Sequence, residues 1–313
     1  MLQTGAADHT RILAKANEWA GTPTALATVI ETWRSAPCPV GTHMLVHGDG
    51  QFTGSVSGGC VEGDVLQVAS EVIGGAPATV RRYGVADGAA WEVGLPCGGN
   101  IAVLVQPVSA AGFAASLFDQ IIAANAAGES LRIGTDLATG VSDIVTQRHA
   151  DQFLNIYAPP KRLLIIGAVE IAAALSGIAQ QLGFAVTVID PRGRFLTEER
   201  FPDVLRDDRW PDEAVAALKP DTRTAIVTLS HDIKIDDPAL LAALASPATY
   251  VAALGSKSSH AARLDRLRAL GMSDIQLARI EGPAGIAVNA ISAPEIALSI
   301  AAGMVRAMND GLR

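Results

Sequence analysis

Cysteine is scarce in this 313-residue chain: there are three, an odd number with no pair at C-x-x-C spacing. That fits neither a secreted disulfide scaffold nor a structural zinc site. Basic charge is short as well. Lys and Arg number 24 against 32 Asp and Glu, a formal net charge of −8. This argues against nucleic acid as the main partner, because binding a phosphate backbone needs a basic footprint, although a local basic pocket for one small anion stays open. No apolar run reaches the roughly 18 residues that a membrane span needs, and no basic-then-apolar leader opens the chain. Repeats and low-complexity tracts are missing too. What is present is a chain with 49% hydrophobic and 18% charged residues, globular rather than disordered. It is long enough for two domains with cores of their own, and it is expected in the cytoplasm, away from the membrane.

Hydrophobic spacing divides the chain at Ala158-Pro159-Pro160, where two prolines stop ladders and helices alike. Before the break, residues 1–157 read as α+β. His9–Ala20 has helical spacing, and Ala25–Ile30 reads as a strand. Met44–Val46 and Gln51–Val56 read as a hairpin around His47-Gly48-Asp49-Gly50. Thr79–Tyr83, Ile101–Val105, Leu131–Thr135, Val141–Thr146 and Phe153–Tyr157 read as further strands, with a helix over Leu117–Ala127. After the break, over 161–313, strand runs (Arg162–Ile166, Ala185–Asp190, Thr224–Leu229, Tyr250–Leu254) alternate with helical spacing (Ile171–Leu182, Leu240–Leu244). Ser292 and Glu295 form the N-terminal signature of a last helix. The predicted fold class is α/β: an N-terminal α+β domain followed by a Rossmann-like, doubly wound parallel-sheet domain.

Two glycine-flanked cysteines stand out. The first lies in Gly54-Ser55-Val56-Ser57-Gly58-Gly59-Cys60-Val61-Glu62-Gly63-Asp64-Val65, just before a run with helical spacing. Gly58 and Gly59 let the backbone take positive φ and let a ligand approach. A thiol at a helix start feels the positive end of the dipole, while Glu62 and Asp64 oppose a second negative charge there. The loop is either an anion-binding, thiol-bearing loop or a tight turn around a buried structural cysteine. The second cysteine lies in Gly94-Leu95-Pro96-Cys97-Gly98-Gly99-Asn100, leading into a strand. Cys60 and Cys97 either face a common ligand or form a disulfide. His43 and His47 share one strand face; a solvated face is expected there rather than a metal site.

In the second half, the strand ending at Ile166 runs into Gly167-Ala168-Val169-Glu170-Ile171-Ala172. A dinucleotide fold holds G-x-G-x-x-G/A at this point, and Val169 replaces the glycine that admits the pyrophosphate. Asp190 stands where a carboxylate would read the ribose. The fold is kept and NAD(P) binding is weakened. Arg192, Arg194 and Lys257 follow strand C-termini, the ligand edge of such a sheet. They either contact a phosphate or pair with Asp203, Glu198 or Glu199. His231 and Asp232 either orient a reacting group or cap a helix.

The Cys60 loop, the upstream Arg34-Ser35-Ala36-Pro37-Cys38-Pro39-Val40-Gly41 and the Cys97-Gly98-Gly99 loop together resemble the XdhC/CoxI family of xanthine dehydrogenase accessory proteins. Asp190-Pro191-Arg192, Arg200-Phe201-Pro202, Ser230-His231-Asp232, Leu254-Gly255-Ser256-Lys257 and Gly282-Pro283-Ala284-Gly285 resemble the C-terminal domain of the same family. Members often carry histidine where this chain has Glu170. The resemblance implies a maturation chaperone, more a carrier than a catalyst, that binds the molybdenum cofactor (molybdopterin) transiently. It implies that the chaperone supports sulfuration of the cofactor and passes it to an apo molybdenum hydroxylase of the xanthine dehydrogenase type. The implied partners are that client, a cysteine desulfurase and a second copy of the chain. The implied cofactor-binding residues are Cys60, Cys97, Gly58, Gly59, Gly98, Gly99, Arg192, His231, Asp232 and Lys257, with Cys60 touching molybdenum. The alternative is an NAD(P)-binding oxidoreductase built on the second domain, which leaves both cysteine loops idle; a thiol enzyme pairing Cys60 with His231 is the third reading.

Overall fold

The structure is a computed structural model and describes residues 6–33, 38–84, 99–147 and 149–310. The chain divides into two compact units, Met1–Pro159 and Pro160–Arg313. Unit 1 runs α1 (Ala6–Glu18), β1 (Thr24–Trp33), β2 (His43–His47), β3 (Phe52–Gly54), α2 (Glu62–Ile73), β4 (Thr79–Tyr83), β5 (Asn100–Pro107), α3 (Ser116–Ala126), β6 (Leu131–Asp136), β7 (Ser142–Ile144) and β8 (Gln152–Tyr157). The first five strands form an antiparallel sheet in the order β3-β2-β1-β5-β4, and the last three form a small sheet β7-β6-β8. Side chains alternate across a strand. Ala25, Ala27, Val29, Met44, Val46, Val103 and Val105 therefore meet Val65, Val68, Ala69 and Val72 of α2 on one face. Leu26 and Leu45 meet Ile12 and Leu13 of α1 and Phe118 and Ile121 of α3 on the other. Both faces are covered, which is why β1 is buried along its first six residues.

Unit 2 runs β9 (Lys161–Ile166), α4 (Glu170–Gln181), β10 (Phe184–Ile189), β11 (Leu205–Asp207), α5 (Pro211–Leu218), β12 (Thr224–Thr228), α6 (Ile233–Ala245), β13 (Tyr250–Ala253), α7 (Lys257–Ala269), α8 (Asp274–Leu277), β14 (Ile280–Glu281) and α9 (Ala293–Asn309). All six strands are parallel, in the order β11-β10-β9-β12-β13-β14. Counted along the chain this is 3-2-1-4-5-6, the order of the doubly wound dinucleotide fold. One face packs α4 and α9 through Leu163, Ile165, Val186 and Val227. The other packs α5 and α6 through Leu164, Ile166, Ile226 and Val251. Strands buried on both faces read as unbroken apolar runs, and those runs marked β9, β10, β12 and β13 in the sequence. The Ser292 signature is real: Glu295 accepts from the Ser292 amide at 2.9 Å. None of the described helices is long and apolar enough to cross a membrane.

The solvated face expected for His43 and His47 is corrected at His43. Its side chain points with Leu45 toward α1 and β8, which cover that face, and it is only 2% exposed. Its Nδ1 shares a hydrogen bond with Thr28 Oγ1 at 2.9 Å, and its Nε2 shares one with Tyr157 Oη at 2.9 Å. The His9 ring lies 5.3 Å from it and 4.8 Å from Tyr157. His47, by contrast, is half-buried and lies 2.8 Å from Asp49. Burial holds His9 down to about 4 and, reinforced by the neighbouring His9, pushes His43 well below its ordinary value. Both imidazoles fold neutral, whereas in the unfolded chain they protonate near 6.5. The unfolded state then binds more protons below that pH, so stability is complete above about pH 6.5 and falls as pH drops toward 4. Denaturant unfolding at pH 7 and pH 5, a window above most carboxylate titration, should show a loss of about 2 kcal/mol from His9 alone. The His9→Leu variant should lose measurably less over the same window; an unchanged slope would count against the buried neutral histidine as its cause.

Candidate functional site

The Cys60 loop joins β3 to α2, and its geometry is set by a carboxylate. Gly58 and Gly59 both take positive φ, 74° and 116°, and the turn they make points a run of amides inward, as in an anion-binding nest. The anion is the chain's own. Glu62, the first residue of α2, folds back and accepts from six donors: the Ser55 and Ser57 hydroxyls and the amides of Val56, Ser57, Gly59 and Val61, at 2.5–3.2 Å. Burial alone would raise the Glu62 carboxyl, but these hydrogen bonds outweigh it and hold it down to about 2. Ser57 Oγ also accepts from the amides of Cys60 and Val61, both at 3.0 Å. The donors left over at the start of a helix are thus met from inside the loop. The anion-binding reading is corrected in this respect: the Gly59 amide is taken by Glu62 and the Gly58 amide by Ser55 Oγ (2.8 Å).

The buried-cysteine reading also falls. Cys60 is exposed and its thiol is free, carried at the apex of a loop whose backbone is clamped on both sides. Cys97 and Gly98 lie outside the described residues; Gly99 is described, is buried and leads into β5. The chain leaves β4 and re-enters β5 beside the Cys60 loop, because Tyr83 donates to Asp64 in the first turn of α2 at 2.5 Å while pairing in register with Ile101. Burial and that contact push the Tyr83 hydroxyl up. Cys38 is half-buried against the core under α2. The Glu62 cradle is not what the sequence suggests, since spacing alone presents Glu62 as a charge opposing thiolate. The signal was there: two serine hydroxyls around a Gly-Gly turn, followed by a carboxylate in the first helical position.

In unit 2 the residues of interest gather at the C-terminal edge of the parallel strands. Gly167 takes φ 100°, and the loop after β9 passes so close to the loop after β12 that a Cβ there would lie 2.8 Å from Ser230 N. Asp190, fully buried at the end of β10, accepts from the Ala168 amide at 2.7 Å and from the Arg192 guanidinium at 2.8 and 2.9 Å. Burial would raise its carboxyl, but the Arg192 fork and the Ala168 amide hold it below its ordinary value. The expected surface pairing of Arg192 with Asp203, Glu198 or Glu199 is corrected to this buried pair. Asp232 is a helix cap: it accepts from the Lys234 amide at 2.9 Å and starts α6. His231, exposed, sits in the left-handed region at φ 60°. Lys257 is exposed on the first residue of α7, next to its Ser256 cap. Beside His231, a cavity of about 300 Å³ is lined by Asp236, Ser259, Arg263 and Arg266. Burial pushes the Asp236 carboxyl up, opposed by a 2.6 Å hydrogen bond from Ser230.

Two outcomes follow from these clamps. Glu62→Ala should leave several inward-pointing amides and hydroxyls without a partner and cost on the order of 3 kcal/mol in denaturant unfolding; a loss below about 1 kcal/mol would mean that the loop holds its shape without the carboxylate. NADH should show no fluorescence enhancement on mixing with the protein. The pyrophosphate-facing amide of Ala168 is engaged, Val169 stands where a glycine is needed, and Asp190 cannot accept from a ribose while paired. Saturable enhancement would show that the Asp190 pair opens.

Comparison with known proteins agrees with this architecture. The model of the XdhC and CoxI family matches residues 19–84, which include the Cys60 loop, and that of the XdhC Rossmann domain matches residues 163–304. The molybdenum cofactor insertion chaperone PaoD of Escherichia coli (strain K12) is 32% identical over 302 residues, covering 94% of this chain and 87% of that protein. A protein of Bacillus subtilis (strain 168), named as a probable xanthine dehydrogenase component, is 24% identical over 311 residues, covering 90% of this chain and 92% of that protein. A crystal structure from Bacillus halodurans, described as a xanthine dehydrogenase, shares the fold with a TM-score of 0.82 over 96% of both chains, at 24% identity. With a relative of 32% identity matched over nearly its whole length, and family models matching in both units, the chain belongs to the XdhC and CoxI family.

Proposed function

We propose that this protein is a carrier and maturation chaperone for the molybdenum cofactor, delivering it to a molybdenum hydroxylase of the xanthine dehydrogenase type. The observation that carries this reading is the Cys60 thiol: exposed, free, and held at the apex of a loop that Glu62 clamps from within. A clamped backbone fixes where the sulfur points while leaving it open to a large cargo. Thiolate is a soft ligand suited to molybdenum. Among the described residues no group of three or more His, Cys, Asp or Glu side chains could hold a metal ion. A single thiolate suits a metal that arrives already ligated by its pterin dithiolene. The E. coli relative, named as a molybdenum cofactor insertion chaperone, supports the same reading.

In this reading Cys60 contacts the metal end of the cargo, and the Cys97-Gly98-Gly99 loop, whose base lies beside α2, supports it. Gly58 and Gly59 contribute by shaping the turn, since their amides are engaged within the loop. Arg192, His231, Asp232 and Lys257 belong to the ligand edge of unit 2. The cargo is bound transiently and released to the apo hydroxylase. A cysteine desulfurase supplies the sulfur for sulfuration, and a second copy of the chain covers the loaded protein. The protein acts in the cytoplasm as a chaperone rather than as a catalyst.

The test is co-retention. Wild type and Cys60→Ala are mixed with freshly released cofactor, unbound material is filtered away, and molybdenum and pterin are quantified in the retentate. Retention near one equivalent by wild type, lost in the variant, is expected. Equal retention by both would remove Cys60 from the site, and no retention by either would overturn the carrier reading.

A further inference from the structure

We propose that the C-terminal edge of the unit 2 sheet holds a receptor for a phosphate group, formed by Arg194 and Arg200 around Phe195 and backed by Arg192. A cavity of about 400 Å³ opens there, lined by Ala168, Val169, Arg192, Arg194, Phe195 and Arg200. The three guanidiniums are organised by one ring and its backbone. Arg192 Cζ lies 4.9 Å and Arg194 Cζ 5.2 Å from the Phe195 ring centre. Arg200 donates one Nη to the Phe195 carbonyl at 2.8 Å, and its Cζ sits 5.3 Å from the ring of the fully buried Phe201. Packing of this kind fixes the heads of flexible side chains before any ligand arrives, which lowers the ordering entropy of binding.

The charge is uncompensated. Asp190 neutralises Arg192. Glu198, which the sequence places between Arg194 and Arg200, pairs with Arg206 instead. Among the described residues no carboxylate lies within ion-pair distance of Arg194 or Arg200, so two guanidiniums face one cavity with no counter-charge in a chain of net charge −8. A phosphate monoester or diphosphate carries about two negative charges at neutral pH, with oxygens spaced for the guanidinium fork. Ala168, Val169 and Phe195 form an apolar wall that strengthens such contacts. The place is the edge where open α/β sheets take their ligands, but the means differs from a dinucleotide fold. The Ala168 amide is capped by Asp190, so the phosphate is held by side chains rather than by the glycine-loop amide.

The receptor deepens the carrier reading and rests on it only for the identity of the phosphate, either the cargo's own or that of a separate phosphorylated ligand. Titration calorimetry of the full chain with inorganic pyrophosphate tests it directly. Wild type should bind saturably and more weakly as salt rises. The double variant Arg194→Gln, Arg200→Gln should bind at least about tenfold more weakly, and Arg194→Lys, Arg200→Lys should recover only part of the loss. Circular dichroism and the unfolding midpoint of each variant check that the fold is kept. No saturable binding by wild type, or equal binding by wild type and a folded double variant, overturns the proposal. Pyrophosphate that displaces retained cofactor identifies the cargo's phosphate as the occupant. Pyrophosphate that binds without displacing it identifies a separate phosphorylated ligand. If pyrophosphate binds but no cofactor is retained, the carrier reading fails while the receptor stands.

Discussion

The buried end of Glu62 is the interaction on which the shape of the first unit's cysteine loop depends. A turn with two successive positive-φ glycines aims its amides at one point, and some anion must occupy that point or the amides go unmet. Here the anion is covalently part of the loop. With six donors on one carboxylate, the backbone from Ser55 to Val61 has little freedom, and the Cys60 thiol inherits that definition without being buried. The carboxylate also stands at the start of α2, where the helix dipole favours negative charge. A phosphate in the same cradle would have left the loop unformed until ligand arrived. An internal carboxylate keeps it formed at all times.

Unit 2 repeats the device with different residues. The loop after β9 offers its Ala168 amide where a dinucleotide fold would place pyrophosphate, and Asp190 takes it. Arg192 then closes on Asp190. Each unit therefore keeps the backbone of a glycine loop and fills its anion-seeking amides with its own acid. A loop built this way has its inward amides already engaged, which leaves the proposed recognition to side chains, a thiol in one unit and guanidiniums in the other. The strand order of a dinucleotide fold does not by itself carry a dinucleotide's binding mode: fold places the edge, and the residues at the edge decide what it takes.

Most of the fold was legible because its strands are buried on both faces. The runs Arg162–Ile166, Ala185–Asp190, Thr224–Leu229 and Tyr250–Leu254 are predominantly apolar, broken only by threonines and end charges, and match β9, β10, β12 and β13 within a residue or two. Five elements of unit 2 were not legible: β11, β14, α5, α7 and α8. α5 and α8 are eight and four residues long. β11 and β14 are three and two residues long, too short for periodicity. α7 buries only Arg263 and Leu267, so its sequence carries no apolar stripe. His43 was misjudged because a hydrophilic side chain on alternate positions signals a solvated face only when that face is solvated, and α1 and β8 cover it. At the site, the residue types were legible and their partners were not. Cys60, Gly58 and Gly59 stood out by composition, whereas the Glu62 cradle and the Asp190–Arg192 pair depend on where the backbone turns, which spacing alone does not report.

Side-chain recognition has a consequence for a carrier, which must hold its cargo and then let it go. Main-chain nests at helix starts bind anions through several aligned amides at once. An exposed thiol and half-exposed guanidiniums lie in reach of water and of a competing surface. Contacts of this kind contribute less than desolvated ones, and dissociation rate is where most differences in affinity arise. The Cys60 backbone and the arginines around Phe195 are held by contacts of their own, so the proposed binding would have less to order. That combination would suit a cargo that is held and then released, and it follows from the two internal carboxylates, which occupy the Gly59 and Ala168 amides.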